Sequence, residues 1–170
     1  MLRWVLIAAG VLVAIGVASY LVGVLLPSRH TARMDGLVAK PPAEIAAILR
    51  DVRNYPGWRR GLVVEQISQA ADAITYVEVT GKDRIAYRLT EPMRDGQFVA
   101  TITDPSLPFG GAWTITLTPE GAGTRVGIQE DGEVRDPVYR FFSRFVFGHT
   151  SNMKAYLEDL GATGVSPPAA

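Results

Sequence analysis

Residues 112–118 read Ala-Trp-Thr-Ile-Thr-Leu-Thr, an alternation of large apolar and hydroxyl side chains that decides the fold class. Successive side chains of a β-strand point to opposite faces of the sheet, so Trp113, Ile115 and Leu117 share one face and the threonines share the other. One face is therefore expected to be buried and the other to meet water, as in an antiparallel sheet that is covered on one side.

The same period of two extends in both directions from this strand, between Gly61 and Val134. Strand-like runs are separated there by turns rich in glycine, proline and aspartate. In chain order the runs are Leu62 to Ser68, Ala73 to Thr80, Arg84 to Thr90, Gln97 to Thr103, Ala112 to Thr118 and Thr124 to Val134. The sequence predicts an antiparallel meander, preceded by a short strand between Ala32 and Lys40.

A short helix is predicted between that first strand and the meander. Pro42 suits the first helical turn, where its missing N–H would be unpaired in any case, and Glu44 lies near the positive end of the helix dipole. Apolar residues then recur at helical spacing up to Val52. The helix should stop at residues 54–57, because a proline disfavours helical geometry in the residue before it.

A second helix is predicted to close the domain. Asp136 can cap it and Pro137 can open it, and an unbroken run to Leu160 would end at Gly161. At about 100° per residue one face of this helix collects mainly apolar side chains. They are Val138, Phe142, Phe145, His149, Met153, Tyr156 and Leu160. This stripe is expected to lie on the sheet.

The N-terminus carries a long uncharged segment, from Trp4 to Leu26. As a helix it would reach roughly 34 Å, enough to cross a hydrocarbon core of about 30 Å. A secretory signal peptide is the alternative, although its apolar region is usually only about 7 to 15 residues long. The predicted organisation is a transmembrane anchor over residues 1–26, a linker over 27–31, a domain over 32–160 and a disordered tail over 161–170.

Charge and composition narrow the class of partner. Lysine and arginine together number 17, as do aspartate and glutamate, so the net charge is zero and binding to nucleic acid is not expected. The chain has no cysteine, which excludes disulfides and thiolate metal sites. Arg29, Arg33 and Lys40 slightly outweigh Arg3 and the N-terminal amine, which favours a cytoplasmic domain on a single-pass cell-membrane anchor. Small residues at positions 10, 14 and 18 suggest a weak homodimer through the anchor.

Several local motifs resemble those of the START-like (SRPBCC) helix-grip superfamily, which includes START domains, polyketide cyclases and plant pollen allergens. The resemblance covers about residues 33 to 160, and its most specific element is Tyr55-Pro-Gly-Trp58, typical of bacterial members. Less specific similarities to the superfamily lie at residues 40–44, 109–113 and 123–126 and in the aromatic C-terminal helix. The resemblance implies an α+β helix-grip fold, with a curved antiparallel sheet wrapped around a long C-terminal helix and an apolar cavity between them. The chain thus looks like a membrane-anchored member of this superfamily.

The residues expected to line such a cavity are mostly aromatic, because rings supply apolar surface and tyrosines supply orienting hydroxyls. The candidates are Tyr55, Trp58, Tyr76, Tyr87, Phe98, Trp113, Glu130, Phe142, Phe145, His149, Met153 and Tyr156. The same alternation of apolar residues would also suit a filled core. An inward Glu130 must be paired or protonated, with Arg88 or Arg125 as possible partners. His149 could bond a ligand or simply pack against a strand.

Motifs for a nucleophile elbow, a phosphate loop or a clustered metal site are absent from the sequence, so no catalytic residue, metal or cofactor is predicted. The leading hypothesis is membrane-anchored binding of a hydrophobic small molecule, a lipid or lipid-like metabolite. One alternative is a cyclase or dehydratase, which would need His149, Glu130 and a tyrosine to converge. The other is an envelope interaction module that uses Phe147 and the anchor.

Overall fold

The computed structural model describes residues 1–147 and 150–168, without the side chains of Val146 and Phe147. In this part of the chain eight strands form one antiparallel sheet, in the order β2-β3-β4-β5-β6-β7-β1-β8. The strands are β1 Arg29–Val38, β2 Leu62–Gln69, β3 Ala73–Thr80, β4 Asp83–Met93, β5 Gln97–Ile102, β6 Phe109–Glu120, β7 Gly123–Val134 and β8 Thr163–Ser166. The predicted meander is therefore present, and β1 and β8 extend it beyond β7.

The strand at residues 112–118 lies in the middle of β6 and pairs with β7 in unbroken register from Phe109↔Val134 to Glu120↔Gly123. Ile115 and Leu117 are buried, whereas Thr116 and Thr118 are exposed, as the alternation predicts. The apolar face of the sheet packs against two helices, α2 over Pro42–Arg50 and α4 over Ser151–Asp159. A sheet gripping a C-terminal helix on one face is the α+β helix-grip arrangement.

The first predicted helix is confirmed as α2. Its buried face carries Ile45, Ala46 and Leu49, and Asp51 follows its last turn. A 3-10 turn then spans Val52–Gly57 and places Tyr55 in the core. The Tyr55 hydroxyl donates to the carbonyl oxygen of Leu49 at 2.7 Å, which ties the turn to the end of the helix.

The second predicted helix is not one unbroken α-helix. Asp136 caps helix α3, Pro137–Phe142, by accepting from the Tyr139 amide at 3.0 Å. A π-helical turn then occupies Ser143–Phe147, ahead of α4. The wider turn changes the rotation per residue, so the residues before and after it no longer face one surface. Met153 and Tyr156 pack on the sheet, and the prediction that Phe142 and Phe145 join them is wrong, since these two are 40% and 60% exposed.

Two predicted boundaries also need correction. Strand β1 begins at Arg29, opposite Glu133 of β7, so part of the expected linker belongs to the sheet. The expected disordered tail contains β8, which pairs with β1, and Val165 of β8 packs against the core. A strand of four residues has too short a pattern to be recognised locally, because its pairing with β1 depends on a distant segment.

The N-terminal segment is helix α1, Leu2–Leu25, which has the length and composition of a membrane span, as a signal sequence near an N-terminus also can. Most of its surface is exposed, but Ser19 and Gly23 near its end are buried. This end packs against α3, and a Cβ atom on Gly23 would lie 2.5 Å from the carbonyl carbon of Pro137. Glycine is therefore required where the two helices approach each other.

Candidate functional site

Six of the predicted cavity residues meet on the apolar face of the sheet. We refer to them as the aromatic cluster: Tyr55, Trp58, Tyr76, Tyr87, Trp113 and Tyr156. Trp58 and Tyr156 lie with ring centroids 5.2 Å apart, and Trp113 contacts Tyr156 at 5.6 Å, both edge to face. Tyr55 links Trp58 to Tyr76 at 5.4 and 5.8 Å, and Tyr76 stacks on Tyr87 at 5.6 Å. The cluster thus joins three sheet strands, the 3-10 turn region and α4.

An ion pair lies beside these rings. The guanidinium of Arg59 is bonded to the Glu78 carboxylate through both nitrogens, with Nη2 3.0 Å from Oε2. The same guanidinium lies 5.1 Å from the ring centroid of Tyr156 and 5.7 Å from that of Tyr55. A desolvated cation over an aromatic face is attracted by the ring quadrupole, so Arg59 fixes the two tyrosines as well as Glu78.

The tyrosine hydroxyls of the cluster are held in the neutral form. Burial raises the pKa of Tyr55, Tyr76, Tyr87 and Tyr156 above the usual value of 10.0, because a phenolate loses its hydration there. The nearby Glu78 carboxylate raises the pKa of Tyr76 and Tyr87 further. These hydroxyls are hydrogen-bond donors rather than bases at physiological pH.

The Trp58 indole N–H is the unsatisfied polar group of the cluster. Its nitrogen is buried, and no acceptor within the described parts of the chain lies within hydrogen-bond distance. Buried donors almost always have a partner in proteins, since leaving one unpaired costs about 1 to 3 kcal/mol. The arrangement therefore offers a donor, set among rings, for which the described residues supply no acceptor.

A second polar group borders the cluster on the β6–β7 side. Glu130 faces inward with a 20% exposed side chain and stands directly across from Trp113 in the ladder. One of its carboxylate oxygens accepts the Trp113 indole N–H at 2.8 Å, and the other lies 2.8 Å from His30 Nε2. The inward orientation of Glu130 is confirmed. Its expected arginine partners are wrong, because Arg88 pairs with Asp72 and Arg125 with Glu120 and Asp35.

His30 is a site residue that sequence reasoning missed. It lies 100 positions from Glu130 and meets it because β1 pairs with β7, with Ala32 opposite Glu130 and His30 opposite Gly132. The glycine makes room for the imidazole, since a Cβ at position 132 would lie 2.5 Å from His30 Nε2. Nothing local in the sequence signals this pairing, because it depends on which strand closes the sheet.

The remaining predicted residues do not extend the cluster. Phe98 is 1% exposed and Met153 fully buried, and both belong to the general core. Phe142 and Phe145 lie on the outer side of α3 and the π-helical turn. His149 falls outside the described residues, as does the Phe147 side chain.

Two surface depressions lie away from the aromatic cluster. One, of about 480 Å³, is at the β6–β7 hairpin, lined by Leu37, Ala39, Glu120, Gly121, Ala122 and Gly123. The other, of about 200 Å³, lies where α1 meets the domain, lined by Leu26, Pro27, Arg29, His30, Val134, Arg140, Ser143 and Arg144. Three rings of the aromatic cluster, those of Trp58, Tyr87 and Trp113, are partly exposed.

Solved structures share this fold at low sequence identity. The di-domain aromatase/cyclase StfQ of the steffimycin biosynthetic pathway superposes with a TM-score of 0.64 at 12% identity, over 78% of this chain and 50% of its own. The aromatase/cyclase Zhui of Streptomyces sp. R1128 gives 0.63 at 14% identity, over 78% and 91% of the two chains. A START superfamily protein of Mycobacterium smegmatis gives 0.58 at 14% identity, over 77% and 94%.

This chain thus spans half the length of the di-domain protein, and nearly all of the other two. These likenesses establish the fold alone. No curated protein matches the chain in sequence. A family model described as polyketide cyclase / dehydrase and lipid transport matches residues 29–163, from the first residue of β1 to the first residue of β8. The chain belongs to this polyketide cyclase / dehydrase and lipid transport family.

Proposed function

We propose that this protein binds a hydrophobic small molecule, a lipid or lipid-like metabolite with at least one oxygen acceptor, at the aromatic cluster. The observation that carries the proposal is the buried indole N–H of Trp58, which has no acceptor within the described residues. The neutral hydroxyls of Tyr76 and Tyr87 in the same cluster add donors for orientation, and the rings supply apolar contact area. Membership of a family whose description includes lipid transport supports this class of ligand.

The ligand would enter past the partly exposed rings of Trp58, Tyr87 and Trp113. The indole nitrogen of Trp58 is buried, so the rings around it must shift before an acceptor on the ligand can reach it. Helix α1 would hold this entrance beside a bilayer. An anchored binding site meets a membrane-dissolved ligand at a high effective concentration without any additional contact.

The test compares what co-purifies with the full-length chain and with two variants. Organic extracts of detergent-solubilised wild type should contain a hydrophobic compound that is depleted in Trp58→Phe, which removes the N–H and keeps an aromatic ring. Loss of one hydrogen bond should weaken affinity by about 0.5 to 1.5 kcal/mol. Val63→Ala, at a side chain 53% exposed on β2, is the matched control and should retain the compound. Identical extracts from all three chains would contradict the proposal.

An acid–base enzyme of the cyclase or dehydratase kind is the second candidate, and the His30–Glu130 pair favours it. A carboxylate that orients an imidazole is a common arrangement for moving a proton, and here Trp113 links the pair to the aromatic cluster. The two aromatase/cyclases that share the fold lend this candidate only a structural analogy. In an enzyme His30→Ala should leave the compound bound but prevent its conversion, whereas in a binding protein the bound compound stays chemically unchanged in both chains.

A further inference from the structure

We propose that α3 and the following π-helical turn form a second membrane contact, lying in the headgroup layer of the bilayer that α1 spans. Three side chains on this segment are strongly exposed, namely Tyr139 at 53%, Phe142 at 40% and Phe145 at 60%. Outside α1 and the preceding Met1, the described residues hold two other large hydrophobic side chains with comparable exposure, Val63 and Met93. Exposed aromatic residues are thus concentrated on one short segment.

The position of this segment relative to α1 identifies its partner. Helix α3 packs against the end of α1, where Ser19 and Gly23 are buried. Ser19 precedes Leu25 by six residues, which corresponds to about 9 Å along a helix. A segment that packs beside this stretch lies within the outer part of the bilayer if α1 spans it. Tyrosine is enriched at this depth, because its ring is apolar and its hydroxyl remains hydrated.

Arg140 shows how a charged residue is accommodated at this junction. Its guanidinium donates to the carbonyl oxygens of Gly23 at 3.2 Å and Leu26 at 3.3 Å, at the C-terminal end of α1. It also donates to the carbonyl oxygens of Val134 at 2.8 Å and Arg135 at 2.9 Å. The arginine satisfies carbonyls that a helix end would otherwise expose to lipid. It therefore joins α1 and α3 as one rigid unit at the membrane surface.

The 200 Å³ depression at this junction adds a site for lipid phosphate. Arg29 and Arg144 line it beside Arg140, and neither has a carboxylate within salt-bridge distance in the described residues. Basic side chains next to a membrane span attract anionic headgroups, at about 1 kcal/mol each near the surface. We infer that the aromatic side chains enter the apolar boundary while Arg29 and Arg144 contact the phosphates above it.

The inference rests on retention of α1 in the membrane, so the test measures the membrane insertion of α1 as well as the membrane contact of α3 and the π-helical turn. The chain has no cysteine, which allows single nitroxide labels at Tyr139→Cys and Phe145→Cys in the full-length protein reconstituted into phosphatidylcholine and phosphatidylglycerol vesicles. Two further labels serve as references. A label at Val11→Cys, near the middle of α1, gives the collision rates expected inside the bilayer, and a label at Val63→Cys, on β2, gives those expected in water. Collision rates with oxygen, which concentrates in lipid, and with a water-soluble nickel chelate are measured for each label.

We expect labels at positions 139 and 145 to collide more often with oxygen than with the chelate, as the label at position 11 should. The label at position 63 should show the reverse, because it lies in water. Chelate-accessible labels at both 139 and 145, together with a bilayer-buried label at 11, would overturn the second contact and leave the anchor intact. A chelate-accessible label at 11 would instead show that α1 does not span the bilayer, and the inference would fall with the anchor. Neither of these two results tests the proposed binding of a hydrophobic compound at the aromatic cluster.

The phosphate contact is tested separately by native mass spectrometry of protein extracted from the same vesicles. The double variant Arg29→Gln/Arg144→Gln should lose retained phosphatidylglycerol relative to wild type. The matched control, Arg84→Gln/Arg88→Gln, removes the same charge from exposed ion pairs on β4 and should retain it. Equal loss of phosphatidylglycerol in both variants would show that lipid retention depends only on the net charge of the protein, and would overturn the phosphate site. Free inorganic phosphate added during extraction should not displace the lipid, and displacement would contradict lipid as the occupant.

Discussion

The imidazole of His30 occupies the space above Gly132, its cross-strand partner, where a Cβ atom would lie 2.5 Å from His30 Nε2. This single missing methyl group lets the imidazole reach the Glu130 carboxylate at 2.8 Å. The inward acid is thereby paired on one oxygen by His30 and on the other by Trp113.

Gly132→Ala should therefore destabilise the domain by displacing His30 from Glu130. Loss of one partly buried hydrogen bond costs about 0.5 to 1.5 kcal/mol, which should appear as a lower melting temperature of the full chain in detergent. Gly127→Ala on the same strand is the control, because a Cβ there meets nothing within 4 Å. If both substitutions behave alike, the His30 contact does not stabilise the fold.

Two aromatic residues predicted to share one helix face should respond differently to truncation. Tyr156→Ala removes a ring that is 6% exposed and in contact with Trp58 and Trp113, so a loss of about 3 to 5 kcal/mol in unfolding free energy is expected. Phe145→Ala removes a 60% exposed ring and should change that free energy by about 0.5 kcal/mol or less. Chemical denaturation in detergent measures both, and a large cost at Phe145 would place it in the core after all.

The β8 strand should contribute to stability. Deleting residues 162–170 removes one of the two strands that pair with β1, the packing of Ala162 and Val165 on the core, and the bond from the Thr163 hydroxyl to the Leu37 carbonyl oxygen. A loss of about 1 to 3 kcal/mol is expected, comparable to burying one valine. Deleting only residues 167–170 is the control and should leave the melting temperature unchanged. An unchanged melting temperature after the longer deletion would mean that residues 162–170 do not stabilise the domain, as the sequence alone predicts for a disordered tail.

Acid should weaken the contact between α2 and the β4–β5 hairpin. Hydrogen bonds from Arg50, at 2.8 and 2.5 Å, hold the pKa of Glu91 below its usual value of 4.5. A carboxyl with a lowered folded-state pKa adds stability that is fully present above pH 4.5 and is lost as the pH falls through the folded-state value. The melting temperature of wild type should therefore approach that of Glu91→Gln as the pH is lowered below 4.5.

Arg50→Gln is the reciprocal variant for this pair. It should show the same reduced pH dependence in acid, because either substitution removes the bond that lowers the pKa of Glu91. A constant difference between wild type and both variants from neutral pH to well below pH 4.5 would mean that Glu91 does not titrate with folding.

Helix α1 should be retained in the mature protein as an integral membrane segment. Its uncharged length exceeds that of the apolar region of a typical signal peptide, so washing membranes with alkaline carbonate should leave the protein in the pellet. N-terminal sequencing gives the decisive check. A mature chain that begins near Tyr20 would identify the segment as a signal peptide, and would leave α3 only the last residues of α1 to pack against.

The meander and the first helix could be predicted from the sequence because they are determined by local periodicity, whereas the helix-grip fold class was implied by the resemblance of local motifs to a known superfamily. Alternation at Trp113, Ile115 and Leu117 identifies the buried face of a strand without reference to any other strand, and the same pattern orients Glu130 inward. Pro42 and Asp136 mark helix starts through backbone chemistry that acts within one turn. The length of the uncharged run at the N-terminus can likewise be counted in the sequence, and it predicts a helix long enough to span a membrane.

The tertiary structure alone decided which distant residues meet. His30 reaches Glu130 because β1 adds to β7, and no local signal specifies that choice of neighbour. The π-helical turn breaks a stripe that looked continuous, and the segment before it, α3, packs mainly against the end of α1. The Trp58 N–H finds no acceptor among the described residues, and this could not be read from spacing along the chain because a hydrogen-bond partner depends on the three-dimensional surroundings.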